Sequence, residues 1–250
     1  MSKYEAGLDG VTFPSNGCKL LGGFYRAAGD TPRPTVVLLH GTPGIEKHLD
    51  IAYRLRDLGF NCLYFHFRGS WGSEGSFSFA HLADDTRAAL DWVRRHPVVD
   101  SERIALVGGA MGGHAALLVA ATDARVRAVV AMCPLIDPGA FELPEAMAHE
   151  FSTLLNGVTP RELLDQWQRV RSLHEVVDAL AGRPILLVTA DGDELFPPSH
   201  YSDFAARLPN GHWARAERTD HAFSMARPWL VHTVTDWLRT RSGLLPSREA

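Results

Sequence analysis

The segment IALVGGAMGGHAALLVAA, residues 104–121, carries the strongest structural signal in this sequence. Its first four residues are apolar, as in a buried strand, and residues 115–121 favour a helix. A glycine-rich corner between the two leaves little room for side chains. We therefore expect a strand, a sharp turn and a helix, with Gly108 and Gly112 at the points where strand and helix pack most closely.

The corner has the spacing Gly-x-Ala-x-Gly, with Ala110 at its centre. This spacing resembles the nucleophile elbow, Gly-x-Ser-x-Gly, of the α/β-hydrolase superfamily, in which the central serine sits on a strained turn above the sheet. A methyl group has no lone pair and no proton to give, so Ala110 cannot form an acyl-enzyme. Alanine also gains nothing from a left-handed backbone, which costs a non-glycine residue about 1–2 kcal/mol. The resemblance implies the geometry of a serine hydrolase without its nucleophile.

The composition is that of an ordinary globular chain, with 250 residues, 46% of them hydrophobic and 22% charged, and a formal net charge of −4. This length suits one large α/β domain with an insertion. No run of Lys or Arg is long enough to follow a phosphate backbone, so we expect no nucleic acid partner. The N-terminal residues lack an apolar signal core, and the stretch around residues 126–136 is too short to cross a bilayer. We therefore expect a cytoplasmic protein without a membrane partner.

Apolar runs and amphipathic stretches alternate along the chain, which predicts a mostly parallel sheet flanked by helices. Residues 11–25 form a hairpin around Asn16-Gly17, a strong turn signal, and supply an antiparallel edge. With that hairpin the predicted strands number eight, the other six being 35–39, 61–65, the run from residue 104, 126–132, 184–189 and 213–217. The predicted core helices are 49–58, 81–96, 115–121, 199–208 and 228–240. The resemblance implies that these elements form the α/β-hydrolase fold.

A long segment separates the sixth and seventh predicted strands and contains three helical patterns, at residues 146–155, 160–169 and 172–180. A connection of this length is not a plain loop. The resemblance implies a helical cap at residues 139–182, inserted over the catalytic mouth after strand 6. Residues 1–138 and 183–250 would then form the α/β-hydrolase core.

Several large apolar side chains are candidates to line a substrate pocket beneath this cap. They are Trp71, which follows the fourth strand, and the cap residues Phe141, Leu143, Met147, Phe151 and Trp167. Apolar residues at helical spacing also hold a cap to its own core, so both roles stay open for the group. Trp71 equally suits an anchor for its glycine-rich loop.

Three further stretches resemble functional loops of the superfamily. His40-Gly41-Thr42 follows the third strand, and the resemblance implies that the backbone N–H groups of Thr42 and Met111 form the oxyanion hole. Residues 190–198 resemble the acid loop, with Asp193 in the place of the acid and Asp137 and Asp191 as rivals. Residues 218–223 resemble the histidine loop, with His221 as the base.

The order of residues 110, 193 and 221 along the chain matches the superfamily order of nucleophile, acid and base. With a serine at position 110, His221 would take the hydroxyl proton and later return it to the leaving group. Asp193 would fix the tautomer of the imidazole and stabilise its charged form. The twelve histidines offer many false bases, so no single motif decides the matter. The three together, each at the end of a different strand, predict the triad.

The sequence has neither HExxH nor a comparable metal-ligand spacing, and no glycine-rich nucleotide fingerprint follows a strand. Cys18, Cys62 and Cys133 are odd in number and widely spaced, which favours buried free thiols over a disulfide framework or a zinc site. We therefore expect neither a metal nor a cofactor.

The resemblance is closest to capped serine esterases of the feruloyl-esterase and acyl-peptidase-like branch. It implies a small-molecule acyl substrate, a carboxylic ester or else an amide or thioester, that is cleaved through an acyl-enzyme. An amine or alcohol acceptor in place of water would make the same machinery an acyltransferase.

Two hypotheses follow for this chain. It is a serine hydrolase inactivated at position 110, or it is a natural pseudoenzyme that binds a small molecule or serves as a scaffold, since fold does not fix function. The residues leave open whether Ala110 is engineered or natural, which acyl and leaving groups fit, and whether the chain forms a homo-oligomer.

Overall fold

The computed structural model of the chain describes residues 3–245. Residues 1–2 and 246–250, which the sequence assigns to the hydrolase core, lie outside the described residues. The strands are β1 (Gly7–Ser15), β2 (Cys18–Arg26), β3 (Arg33–Leu39), β4 (Asn61–Phe65), β5 (Val99–Gly109), β6 (Val126–Met132), β7 (Ile185–Ala190) and β8 (Gly211–Ala216). The helices are α1 (Leu49–Asp57), α2 (Leu82–Arg95), α3 (Met111–Ala120), α4 (Glu145–Leu154), α5 (Pro160–Trp167), α6 (Ser199–Ala206) and α7 (Arg227–Thr240).

The strands form one eight-stranded sheet in the order β1-β2-β4-β3-β5-β6-β7-β8. β1 pairs with β2, and β2 with β4, in antiparallel fashion, whereas every pairing from β4 to β8 is parallel. This confirms the predicted fold class, including the antiparallel edge hairpin. Because parallel strands end at the same edge, the segments that follow β3, β5, β6, β7 and β8 meet there.

The two faces of the sheet carry different helices. Alternate residues of β5, such as Ala105 and Val107, pack with α1 and α7, while Ile104 and Leu106 pack with α2, α3 and the segment between β6 and β7. This alternation follows from the period of a strand, whose successive side chains point to opposite faces. By the same alternation, Gly109 faces the side of α1 and α7.

The corner between β5 and α3 depends on glycine. A Cβ atom on Gly108 would lie 2.3 Å from the backbone of Gly112, and one on Gly112 would lie 2.2 Å from the carbonyl oxygen of Leu39. Real side chains do not tolerate such approaches. The expected close packing at these two glycines is therefore confirmed, and it brings α3 directly against the ends of β3 and β5.

The segment between β6 and β7 contains α4 and α5 but not the third predicted helix. Residues 172–180 instead form two 3₁₀ turns, Leu173–Glu175 and Val177–Leu180. The hydroxyl of Ser172 accepts a hydrogen bond from the backbone N–H of His174, and Val176, with ψ near −2°, interrupts the helical backbone. The prediction of a helix at 172–180 is therefore wrong. The division into core and cap stays a prediction.

None of the helices within residues 3–245 is both long enough and apolar enough to span a bilayer.

Replacing Gly112 with alanine tests the close packing at the corner. Alanine favours a helix over glycine by about 1 kcal/mol, but the added methyl group has no room beside Leu39. We expect Gly112→Ala to lower the free energy of unfolding by about 1–3 kcal/mol, measured by urea denaturation. Gly10→Ala is the control, because a Cβ there meets no atom within 4 Å. Equal stability of Gly112→Ala and the parent chain would contradict this account of the corner.

Candidate active site

Ala110 lies on the turn between β5 and α3 in an unusual backbone conformation, with φ 48° and ψ −117°. A non-glycine residue held in such a conformation costs about 1–3 kcal/mol. Two hydrogen bonds hold the turn in place. The N–H of Ala110 donates to the carbonyl of Met132 at 2.9 Å, and its own carbonyl accepts from the N–H of His114 at 3.0 Å. The chain thus has the sharp strand-to-helix turn expected of the elbow, with the methyl group of Ala110 at its centre.

His221 and Asp193 form a hydrogen-bonded pair at the same edge of the sheet. Nδ1 of His221 lies 2.9 Å from Oδ2 of Asp193, whose side chain has no exposed surface. Oδ1 of Asp193 accepts hydrogen bonds from the backbone N–H groups of Leu195 and Phe196, at 2.8 and 2.9 Å. The carboxylate is therefore held by three hydrogen bonds, two from the backbone and one from His221.

The surroundings of Asp193 keep it ionised. Burial alone would raise its pKa, but the hydrogen bond and charge of His221, together with the two backbone N–H groups, hold the pKa below its ordinary value. An ionised Asp193 accepts a hydrogen bond from the Nδ1–H of His221, so a neutral imidazole carries its lone pair on Nε2. This is the tautomer that a general base needs.

The two rival carboxylates lie elsewhere. Asp191 pairs with Arg215 at 3.0 Å on the surface, and Asp137 accepts a hydrogen bond from the N–H of Gly139 at the start of a 3₁₀ turn. Among the hydrogen bonds and ion pairs of residues 3–245, neither reaches His221. The geometry thus favours Asp193, which the acid-loop resemblance had placed first.

A cavity of about 230 Å³ is lined by three of the expected catalytic and oxyanion residues. It is lined by the loop at residues 41–48, by the end of β5 with Ala110, and by residues 221–223. Thr42, His221 and Ala110 all border this space. A larger groove of about 530 Å³ lies between the β1–β2 turn and α2, and none of the predicted site residues lines it.

His40 fixes the loop that carries Thr42. Its Nδ1 lies 2.7 Å from the carbonyl oxygen of Gly41, and its Nε2 accepts a hydrogen bond from the N–H of Phe67 at 3.2 Å. Burial lowers the pKa of His40 to about 3, so the ring is neutral and its role is to hold the backbone. In the described part of the chain the N–H groups of Thr42 and Met111 have no hydrogen-bond acceptor. Met111 begins α3, so its N–H lies at a helix N-terminus.

The six predicted pocket residues do not border this cavity. Nε1 of Trp71 donates a hydrogen bond to the carbonyl of Pro43 at 2.8 Å, so Trp71 anchors the Thr42 loop from outside. Nε1 of Trp167 bonds the carbonyl of Phe141 in the same way. The cap residues pack into the core on the α2 and α3 face, where Leu143 and Trp167 are buried and Phe141, Met147 and Phe151 lie against them. Their apolar faces are used in packing, which does not support the pocket assignment.

The sequence reasoning missed two residues near the pair. His48 lines the cavity, and Sγ of Cys133 lies within 4.8 Å of both Asp193 and His221. Cys133 directly follows β6, and the rule that sites form at the carboxyl ends of parallel strands could have found it. His48 gave no motif signal.

The three cysteines are free thiols. Cys62 and Cys133 are buried as expected, whereas Cys18 is half-buried. Burial and the neighbouring carboxylate of Asp193 raise the pKa of the Cys133 thiol. A protonated thiol is a poor metal ligand, and Asp193 already binds His221. The cluster of Cys133, Asp193 and His221 therefore fits an acid–base pair better than a metal site.

The pH dependence of stability tests the environment of Asp193. A carboxyl group whose pKa is depressed in the folded state stabilises that state above its unfolded pKa of about 3.9, and the contribution vanishes as pH falls through the folded pKa. We expect Asp193→Asn to lose about 1–3 kcal/mol of stability at pH 7, a deficit that shrinks below pH ~4. Urea denaturation at several pH values measures it. Asp191→Asn, which breaks a surface pair, should lose under about 1 kcal/mol; an equal loss for both variants would contradict the assignment.

Known proteins match most of the length of this chain. The family model described as "Prolyl oligopeptidase family" matches residues 48–238. The quorum-quenching protein AidA of Acinetobacter baumannii is 27% identical over 213 residues, which cover 83% of this chain and 66% of AidA. The chain thus spans just under two thirds of the length of that relative.

Solved structures share the fold over almost the whole chain. The structure of DcsB in complex with its substrate analogue has a TM-score of 0.80 and 20% identity, covering 93% of this chain and 98% of DcsB. Est1E from Butyrivibrio proteoclasticus has a TM-score of 0.75 and 16% identity, covering 92% of this chain and 97% of Est1E. At these identities the likeness shows the fold alone.

Proposed function

Because this chain belongs to the prolyl oligopeptidase family, whose members share the α/β-hydrolase fold, we propose that its site is that of a serine-type carboxylic-ester hydrolase held inactive by Ala110. The observation that carries the proposal is the 2.9 Å bond between His221 and Asp193 beside the cavity that Ala110 borders. A general base, a buried acid and a strained elbow together have no evident use except nucleophilic catalysis.

The chemistry follows from the positions of these groups. With a serine at position 110, Nε2 of His221 would take the hydroxyl proton while the serine oxygen attacks the ester carbonyl carbon. The N–H groups of Thr42 and Met111 would bind the oxygen that becomes negative. As the tetrahedral intermediate collapses, His221 returns its proton to the departing alkoxide. Water, deprotonated by the same histidine, then cleaves the acyl-serine ester and regenerates the hydroxyl.

The size of the cavity supports a short acyl group. Drug-sized ligands occupy pockets of about 300–1,000 Å³, and this one measures about 230 Å³. Acetyl to butanoyl esters are therefore the first substrates to test. The chain as it stands would bind such an ester and leave it intact, since no atom of Ala110 can attack a carbonyl.

Ala110 itself supports a second candidate function. A natural pseudoenzyme that binds a small acyl compound would need the cavity but not the hydroxyl, and it would keep the fold unchanged. The two candidates differ in what a restored hydroxyl does. In an inactivated hydrolase it meets a complete set of catalytic groups, whereas in a binding protein that has drifted the same groups no longer cooperate.

The substitution Ala110→Ser separates these candidates. We expect it to raise hydrolysis of 4-nitrophenyl acetate at least about 10³-fold over the parent chain, because serine, His221 and Asp193 act as a unit. It should also allow covalent labelling by a serine-directed phosphonate, read by mass spectrometry. Both signals should disappear in Ala110→Ser/His221→Gln.

Ala115→Ser is the matched control for a serine added nearby, because residue 115 lies buried in α3, away from the cavity. A folded Ala110→Ser chain that neither hydrolyses the ester nor reacts with the phosphonate would support the binding protein and overturn the hydrolase proposal.

A further inference from the structure

His48 lines the active-site cavity although no motif led to it. It precedes α1 in a left-handed conformation, with φ 54°, and its side chain makes no capping hydrogen bond to the helix. The carboxylate of Asp50 bonds the N–H of Ile51 instead. Serine, threonine, asparagine and aspartate are the usual residues at this position. A buried histidine that is strained and does not cap the helix is therefore held there by other contacts.

The absence of a side chain on Gly109 makes room for the His48 ring. A Cβ atom on Gly109 would lie 2.5 Å from Nε2 of His48. Gly109 immediately precedes Ala110, so Nε2 of His48 packs against the residue next to the expected nucleophile position. The imidazole thus occupies, from the side of α1 and α7, the space beside the elbow that a larger residue 109 would fill.

Arg227 determines which nitrogen of His48 carries the proton. Nη1 of Arg227 lies 3.2 Å from Nδ1 of His48, and a guanidinium can donate hydrogen bonds but cannot accept them. Nδ1 must therefore be the acceptor, which leaves the proton on Nε2. Arg227 is itself held by the carboxylate of Asp50 and contacts the carbonyl of Ala222, next to His221.

The ring of His48 is neutral under ordinary conditions. Burial, and to a smaller extent the charges of Arg227 and His221, lowers the pKa of His48 to about 4, although the charges of Glu46 and Asp50 act in the opposite direction. A neutral ring with its proton on Nε2 offers the cavity a hydrogen-bond donor and no base. Within residues 3–245 that N–H has no protein acceptor. Because Nε2 of His48 already carries a proton, His48 does not compete with His221 as the general base of the proposed reaction.

We propose that His48 is a specificity-determining residue, whose Nε2–H donates a hydrogen bond to an acceptor oxygen that the acyl group carries next to the scissile carbonyl. The inference rests on the proposed ester substrate and narrows it to acyl groups such as alkoxyacetyl or hydroxyacetyl. An unpaired donor in a small cavity favours a ligand that pairs with it, since a purely aliphatic acyl group would leave the N–H without a partner.

Two esters of the same shape test this. Phenyl methoxyacetate and phenyl butanoate differ by an ether oxygen in place of a methylene group. We expect the ratio of kcat/KM for the methoxyacetate to kcat/KM for the butanoate to be about tenfold higher in Ala110→Ser than in Ala110→Ser/His48→Leu. A factor of about ten is the effect of one neutral hydrogen bond. Intrinsic reactivity cancels between the two variants. The change should appear mainly in KM, because the contact exists before the chemical step.

His48→Gln is the matched control, because its amide N–H₂ can donate from near the position of Nε2. It should restore most of the preference for methoxyacetate that His48→Leu loses. Equal ratios in Ala110→Ser and Ala110→Ser/His48→Leu would overturn the proposal. It would also be overturned if His48→Gln lost as much of the preference for methoxyacetate as His48→Leu, provided that thermal denaturation shows both variants to be folded.

The chain with Ala110 provides a test that needs no catalysis. With ¹⁵N-labelled histidine, we expect Nε2 of His48 to carry the proton, and phenyl methoxyacetate to shift its resonance and bind about tenfold tighter than phenyl butanoate. If Ala110→Ser is inactive but this preference holds, the hydrolase proposal fails and the role of His48 stands. Equal binding of the two esters, or no shift at His48, overturns the role of His48 whatever the activity of Ala110→Ser.

Discussion

The close approach of α3 to the ends of β3 and β5 is the constraint on which the site depends. With Gly108 and Gly112 in contact, the chain can pass from strand to helix only through a sharp turn, and residue 110 takes the strained conformation of that turn. The turn places the side chain of residue 110 at the cavity, and within residues 3–245 it leaves the N–H of Met111, at the start of α3, without an acceptor. The expected nucleophile position and the expected oxyanion donor thus arise from the same steric condition.

The loops around the elbow are fixed by polar contacts. His40 joins the Thr42 loop to the segment after β4, and Trp71 bonds Pro43 from that same segment. Below them, Asp85 of α2 accepts hydrogen bonds from Ser15 and from both the backbone and the guanidinium of Arg68. Buried charges are tolerated when every partner is satisfied, and removal of one partner is costly. Substitution of Asp85 would therefore leave the buried guanidinium of Arg68 without its charge partner.

Sequence patterns predicted the sheet, most helix positions and the relation of Asp193 to His221, because each depends on local periodicity or on the rule that parallel strands end at one edge. The patterns left the outcome open where it depends on long-range packing. Phe141 and Trp167 have the spacing of either a cap core or a pocket wall, and the choice rests on the face they meet in three dimensions. His48 was missed because its role arises from Gly109 and Arg227, which are 61 and 179 residues away in sequence.

The energetics of the elbow do not depend on a hydroxyl at position 110. The backbone strain at residue 110 is the same for alanine and serine, because both carry a Cβ atom and the strain arises from φ and ψ. The desolvation of Asp193 is offset by His221 and two backbone N–H groups, none of which involves residue 110. An alanine in place of a serine at position 110 therefore removes no bond on which the fold relies.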